Sequence, residues 1–162
     1  MKVQTLFKKF TRVKLAKPKS TNALYYDCNQ SVIDQLQLIQ NKACRTIFGL
    51  KKRDSVQSKL KQLHWLKIEQ RIEFKILLLV YKSINGLAPV YLCELFIDHI
   101  AGSGRTSNLL IPQQYLQCTR ALQIAGPKLW NSLPSIIRDS SSVDIFKRQL
   151  KTHLFKNSYG LE

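Results

Sequence analysis

Residues 67–84, which read KIEQRIEFKILLLVYKSI, decide how this chain folds. Apolar residues recur there at helical spacing, at Ile68, Ile72, Ile76 and Leu79. Other apolar side chains cover most of the remaining faces, and a helix that is apolar almost all round is a buried helix. The apolar pattern is too long for a strand. It therefore predicts a central helix against which the other elements pack.

Shorter helices are predicted on both sides of this stretch. Ser31 and Asp54 are the kind of residue that caps a helix N-terminus, and Gly49 is the kind that ends one. Pro89 and Pro127 suit the first turn of a helix, and Ser141 with Ser142 precedes a clean apolar stripe. These signals place helices at residues 31–48, 54–62, 90–96 and 128–132, and a last helix after Ser142.

The predicted fold class is all-α, a helical bundle with at most one minor β-ribbon near residues 109–124. The ribbon would pair the short apolar runs 109–111 and 122–124. A two-stranded pair is marginal without a surface to pack on. We expect the core to be supplied by the first, central and last helices, through Leu36, Ile39, Ile72, Ile76, Leu79, Phe146 and Leu150.

Positive charge dominates the chain and is unevenly spread. The 162 residues include 26 Lys and Arg against 10 Asp and Glu, for a net charge of +16. Residues 1–20 have seven of the cations and no acid. We predict a flexible basic arm over residues 1–20, a helical domain over 21–157 and a tail over 158–162. The charge favours nucleic-acid binding over solubility alone.

Several classes of protein are excluded or disfavoured by simple features. The longest uninterrupted apolar run, residues 76–81, is far shorter than the ~20 residues of a membrane span. No two of the four cysteines lie within four residues of each other, so there is no zinc half-site. Residues 1–20 do not resemble a signal peptide. We expect reduced cysteines, with Cys44 and Cys93 in the core, and an intracellular location, nuclear or cytoplasmic.

Five motifs in a fixed order resemble the C-terminal part of the reverse transcriptases of LINE-type (non-LTR) retrotransposons. They read LQLIQNKACR (36–45), LHWL (63–66) followed by RIEFK (71–75), NGLAPVYL (85–92), GPKLWNSLP (126–134) and FKRQLKTHLF (146–155). The resemblance covers over four fifths of the chain. Residues 1–20 match nothing in the family, and Lys67 stands where the family often has proline.

The resemblance implies a segment downstream of the polymerase palm that helps to hold nucleic acid. Polymerase chemistry needs paired aspartates that bind two Mg²⁺ ions. The six aspartates of this chain include no adjacent pair, and 162 residues leave no room for the family's endonuclease. We therefore expect no enzymatic activity, no catalytic residue, no cofactor and no metal.

The candidate nucleic-acid contacts are basic residues, because cations bind phosphates and release counterions. They are Lys8, Lys9, Arg12, Lys14, Lys51, Lys52, Arg53, Arg105, Lys147, Arg148 and Lys151. Phe146 and Phe155 are interpreted as core residues, as are Trp65 and Trp130.

Other constellations have plainer interpretations. Glu69 and Glu73 lie one turn apart on a helix, which indicates a solvated face more than an acid/base pair. His64 is interpreted as a packed or capping residue, and Gly102-Ser103-Gly104 as a loop more than a phosphate cradle.

The sequence thus predicts a non-catalytic segment that binds RNA or DNA backbone without sequence specificity, with the remainder of a reverse transcriptase as a further partner. Two alternatives stay open. One is a helical protein-interaction module with an apolar face that a neighbour covers. The other is a translated transposon relic with no selected function.

Overall fold

The computed structural model describes residues 30–97, 108–111 and 122–160. They form helices α1 (Gln30–Phe48), α2 (Gln57–Gln62), α3 (Ile68–Ile84), α4 (Val90–Ile97), α5 (Leu122–Asn131), α6 (Ser135–Arg138) and α7 (Val143–Tyr159). No strand occurs within those ranges, which confirms the predicted all-α class. The predicted arm and the Gly/Ser loop lie outside the described residues. Helix α7 runs through Tyr159, two residues into the segment that the sequence assigns to a tail.

Helix α3 is the centre of the bundle, as its sequence predicts. It packs against α1, α4, α5 and α7. Its buried residues join α5 and α7 in a large core cluster. The Tyr81 and Phe146 rings are stacked with centroids 4.2 Å apart, and Trp130 lies 6.0 Å from Phe146. The buried members of this core cluster are Leu66, Ile72, Ile76, Leu77, Val80, Tyr81, Phe96, Leu109, Trp130, Leu133, Ile137, Phe146, Leu150 and Leu154.

A second, smaller cluster lies where α1, α2 and the end of α7 meet. We call it the satellite cluster. Its buried members are Cys44, Val56 and Leu60. Half-buried side chains pack around them: Phe48, Leu63, Trp65 and Tyr159. The Phe155 and Tyr159 rings, 4.7 Å apart, connect the satellite cluster to the core cluster along α7.

Hydrogen bonds from two glutamines hold α1 to the start of α3. The buried Gln40 amide donates to the Leu66 carbonyl at 2.8 Å, and the Ile68 N–H donates to the Gln37 side chain at 3.0 Å. Gln40 is buried at the point where the sequence predicts Ile39 to be in the core. Ile39 is 41% exposed, so its assignment to the core is wrong. Ile72, Ile76, Phe146 and Leu150 are buried as predicted, whereas Leu36 and Leu79 are half-buried.

The turn after α2 is a Schellman motif with histidine in the left-handed position. His64 has φ 51°, its N–H donates to the Lys61 carbonyl, and the Trp65 N–H reaches back to the Leu60 carbonyl at 3.0 Å. The accompanying apolar contact is present, because Leu60 and Trp65 both belong to the satellite cluster. His64 is exposed, with its ring 5.5 Å from the Phe155 ring, and of the two predicted roles, packed or capping, it has the capping one.

Asp54 does not cap α2. The helix begins after Val56, which makes no side-chain cap. The Asp54 carboxylate instead accepts the Lys51 N–H at 2.7 Å, while the Asp54 N–H donates to the Lys51 carbonyl. An aspartate that bonds to a backbone N–H in its own turn is no longer available to the next helix. Ser142, by contrast, caps α7 by accepting the Ile145 N–H, as predicted.

The predicted pairing of residues 109–111 with 122–124 is wrong, because residues 122–124 form the first turn of α5. The backbone of Leu109 pairs with a side chain instead. Its N–H donates to the Asn131 amide oxygen at 2.8 Å, and its carbonyl accepts from the Asn131 amide nitrogen at 2.9 Å. The Asn131 side chain therefore satisfies both the N–H and the carbonyl of Leu109.

Pro127 lies inside α5 and does not open a helix, which corrects the predicted range 128–132. A proline there removes one helical hydrogen bond. Burial offsets that cost, because Pro127 and Gly126 are both buried. A Cβ on Gly126 would lie 2.8 Å from Val80 Cγ2 and 3.2 Å from the Phe96 ring. The glycine thus lets α5 approach α3 and α4 closely.

Candidate nucleic-acid interface

Lys51, Lys52 and Arg53 form an exposed basic turn between α1 and α2. The Lys51–Asp54 hydrogen bonds close this turn. The Arg45 guanidinium, donating to the Asp54 carbonyl at 3.4 Å, braces it from α1. Since the Asp54 carboxylate is taken by the backbone, none of the three cations has an ion-pair partner among the described residues. Their charges therefore face water in a fixed turn.

Three basic residues share one face of α7. Lys151 lies four residues after Lys147 and three after Arg148, so its side chain is next to both. Lys147 is half-buried and pairs with Asp144 at 3.0 Å, so part of its charge is already neutralised. Arg148 and Lys151 are exposed, and no acid of the described ranges lies within ion-pair distance of either. The α7 face thus has two exposed cations without an ion-pair partner in the described ranges and one cation paired with Asp144.

The basic turn adjoins the satellite cluster, because Arg53 lies three residues before the buried Val56. On α7, Lys151 lies one helical turn before Phe155, which packs against the core cluster and contacts His64. No contact joins the two groups directly among the residues that the structure describes. The remaining predicted contacts, at Lys8, Lys9, Arg12, Lys14 and Arg105, lie outside those residues.

The satellite cluster adds two further cations, which sequence analysis missed. The Lys59 ammonium lies 5.1 Å from the Phe48 ring centroid, and the Lys67 ammonium lies 5.7 Å from that of Tyr159. Both distances are within the range of cation–π attraction. Each lysine is distant in sequence from its ring, so no local pattern could have found either pair.

These lysines also decide what the aromatic side chains can do. A base stacks only on an open ring face. Lys59 and Lys67 cover one face each of Phe48 and Tyr159, whereas Phe146 and Trp130 are buried in the core cluster. The arrangement therefore favours contacts to phosphate over stacking on bases. Trp130 is a core residue as predicted, and Trp65 and Phe155 are half-buried.

Two titratable groups near the clusters have shifted pKa values. Burial raises the pKa of the Glu73 carboxyl, and the neighbouring Glu69 raises it further. Glu73 is half-buried, so the predicted solvated face is correct for Glu69 alone.

Burial also raises the pKa of the Cys44 thiol, with Arg45 and Lys59 partly opposing the shift. Cys44 is fully buried, as predicted, while Cys93 is half-buried and donates to the Ala88 carbonyl.

The described part of the chain contains no group of three His, Cys, Asp or Glu side chains that could hold a metal ion. Across the same residues, no helix has the length and apolar character needed to cross a membrane.

Comparison of the chain with protein-family models, curated proteins and solved structures finds no match.

Proposed function

We propose that this chain is a non-catalytic segment of a LINE-type reverse transcriptase that binds the RNA or DNA backbone without sequence specificity. The single observation that supports binding most strongly is the exposed basic turn, Lys51 to Arg53, whose neighbouring carboxylate is taken by the backbone. Unpaired cations held in a fixed turn can contact phosphates without first breaking an ion pair. The proposal implies a nuclear or cytoplasmic location.

The way the motifs are used in the fold supports the family assignment. Gln37 and Gln40, from the first motif, bond to Ile68 and Leu66 around the second. Trp130 and Phe146, from the fourth and fifth motifs, pack together in the core cluster. Residues that the resemblance singles out thus build the fold, and none of them forms a catalytic constellation within the described ranges. Primer extension by the purified chain would contradict the proposed lack of activity.

The test is fluorescence anisotropy with a labelled single-stranded RNA and a labelled DNA duplex across a salt series, on the full chain. We expect log K to fall linearly with log salt. A variant with Lys51→Gln, Lys52→Gln and Arg53→Gln removes the basic turn. Its slope should be shallower by about 2, because each phosphate contact contributes ~0.7 to 0.9 to the slope.

The matched control is Lys42→Gln, Lys75→Gln and Lys128→Gln, three exposed cations on α1, α3 and α5. It removes the same charge from scattered positions. An equal loss of slope in both variants would show that only the total charge matters. No binding by the native chain at low salt would overturn the proposal. A further chain lacking residues 1–20 measures the contribution of the arm.

A second candidate, a protein-docking module, is favoured by an apolar patch at the turn between α3 and α4. Leu87, Val90 and Tyr91 are 58%, 73% and 63% exposed. Exposed apolar patches mark interaction sites on many proteins. Static light scattering of the native chain at high salt tests this candidate. Oligomers that a Val90→Ser and Tyr91→Ser variant does not form would support it, and a monomer would count against it.

A further inference from the structure

Helix α1 has an apolar stripe that the described residues cover only in part. The stripe comprises Val32, Leu36, Ile39, Ala43 and Ile47, spaced by four, three, four and four residues. This spacing places all five side chains along one line of the helix. Val32, Ile39 and Ile47 are 37%, 41% and 37% exposed, and the other two are half-buried. Four large or medium apolar side chains are thus presented together with one alanine.

The stripe borders the side by which α1 joins the bundle, and two of its members are half-buried. Gln37, Gln40 and Cys44 lie on the joining side itself, where they bond to the α2–α3 connection or enter the satellite cluster. The stripe follows the alternating three- and four-residue spacing with which one helix packs against another along its length. The stripe is therefore suited to be the docking surface, here called the seat, of a single amphipathic segment.

We infer that this seat is occupied by residues 3–13 of the same chain. Apolar residues recur in that segment with matching spacing, at Val3, Leu6, Phe10 and Val13, which are three, four and three residues apart. Three of the seven positions between them are cationic, and at helical spacing two of those three lie opposite the apolar line, while Phe7 lies beside it. A segment with one apolar face and cations on the opposite face can cover the stripe and leave its charges in water.

The tether favours this occupant over others. Sixteen residues, 14–29, connect the segment to Gln30, where α1 begins. Extended, they reach at most ~50 Å. Helix α1 has 19 residues, a length of about 28 Å. The connection can therefore deliver the segment to any part of the stripe. An intramolecular partner acts at an effective concentration of the order of millimolar, which suits a small contact surface.

A second copy of the chain is a poorer occupant. A stable dimer interface buries about 800 Å² on each partner. One stripe of five side chains, none of them more than 41% exposed, offers much less. The inference does not depend on the proposed function. Docking would, however, add the arm's cations to the surface of α1.

The test is amide hydrogen exchange of the full-length chain, followed by mass spectrometry on peptides from residues 1–20. Ile39→Asp places a charge in the middle of the stripe, at a partly exposed position where the fold tolerates it. We expect peptides covering residues 3–13 to exchange about tenfold faster in this variant than in the native chain. Phe10→Asp should produce the same loss of protection from the other side of the contact.

Leu38→Asp is the matched control. Leu38 is the neighbouring residue and is 56% exposed, but it lies on α1 away from the stripe. It changes the charge and helix propensity in the same way and should leave exchange of residues 3–13 unchanged. Equal exchange in native chain and Ile39→Asp would overturn the inference. Protection that depends on protein concentration, with a doubled mass in light scattering, would overturn it in favour of a second copy.

Discussion

The core cluster and the satellite cluster are built from the same types of side chain, but water reaches them very differently. In the core cluster, Tyr81, Trp130 and Phe146 pack ring against ring and are each no more than 2% exposed. In the satellite cluster, Phe48 and Tyr159 are half-buried. Their exposed faces are covered by lysines instead of by further apolar side chains.

This difference shows that a highly basic chain can use lysine side chains to cover the exposed aromatic rings of a small apolar cluster. Lys59 and Lys67 place their ammonium groups over the rings of Phe48 and Tyr159, where cation–π attraction holds them. In the core cluster, by contrast, the aromatic rings are enclosed by apolar side chains of α3, α4, α5, α6 and α7 and of the connections between them.

The largest expected difference between the clusters comes from truncating one phenylalanine in each. Phe146→Ala should lower the free energy of unfolding by about 3 to 5 kcal/mol, because it leaves a cavity among fully buried neighbours. Phe48→Ala should cost roughly half as much or less, since water already reaches that ring. Urea unfolding monitored by circular dichroism measures both. Equal losses would mean that the satellite cluster is as dry as the core cluster.

A smaller contrast is expected at two tyrosines that make the same hydrogen bond. The Tyr81 hydroxyl donates to the Ser140 carbonyl at 2.7 Å, and the Tyr159 hydroxyl donates to the Trp65 carbonyl at 2.6 Å. Tyr81→Phe should cost about 1 to 2 kcal/mol, because it leaves a buried carbonyl unpaired. Tyr159→Phe should cost about 0.5 kcal/mol, since water can replace the lost donor.

The two tyrosine variants are measured by the same unfolding experiment, and each serves as the other's control because both remove one hydroxyl. If Tyr159→Phe proved the more damaging, the bond to Trp65 would be the main link between α7 and the satellite cluster.

The smallest expected effect is a pH dependence at Glu73. Its pKa is raised in the fold by burial and by Glu69. An acid with a raised folded pKa destabilises the fold as pH rises through the window from its unfolded to its folded pKa. Glu73→Gln should therefore raise the Tm at neutral pH, and this gain should vanish below the ordinary pKa of a glutamate.

Thermal unfolding of the Glu73→Gln variant at acid and neutral pH makes that comparison. Glu94→Gln, at an exposed position on α4, is the control and should leave the Tm unchanged at both pH values. A gain for Glu73→Gln that is the same at both pH values would show that removal of the half-buried charge is not its cause.

Sequence analysis predicted the features that depend on local signals. The spacing of Ile68, Ile72 and Ile76 located α3, and Ser142 located the start of α7. Such patterns are set by residues within a few turns of one another. Within the described ranges, the basic turn and the α7 face were also visible, because charge can be read directly from the residues.

The features that sequence analysis missed depend on residues far apart in the chain. Gln40 is buried because the Leu66 carbonyl, 26 residues away, accepts from its amide. Residues 122–124 are helical, and Leu109 has the Asn131 amide as a partner, so the predicted pairing of 109–111 with 122–124 does not form. The cover that Lys67 provides for Tyr159 likewise requires the folded chain. The spacing of apolar residues along the sequence cannot predict contacts between residues so far apart in the chain.

Because Cys44 is completely buried, the reactivity of its thiol reports the opening of the satellite cluster. Cys44 is 0% exposed, and its raised pKa keeps it protonated and unreactive while it is enclosed. An alkylating reagent can modify it only during moments when α1, α2 and the end of α7 separate. The ratio of its reaction rate to that of a free thiol therefore equals the fraction of time that the satellite cluster spends open, when closing is fast. Alkylation of Cys44 thus reports how often the satellite cluster opens.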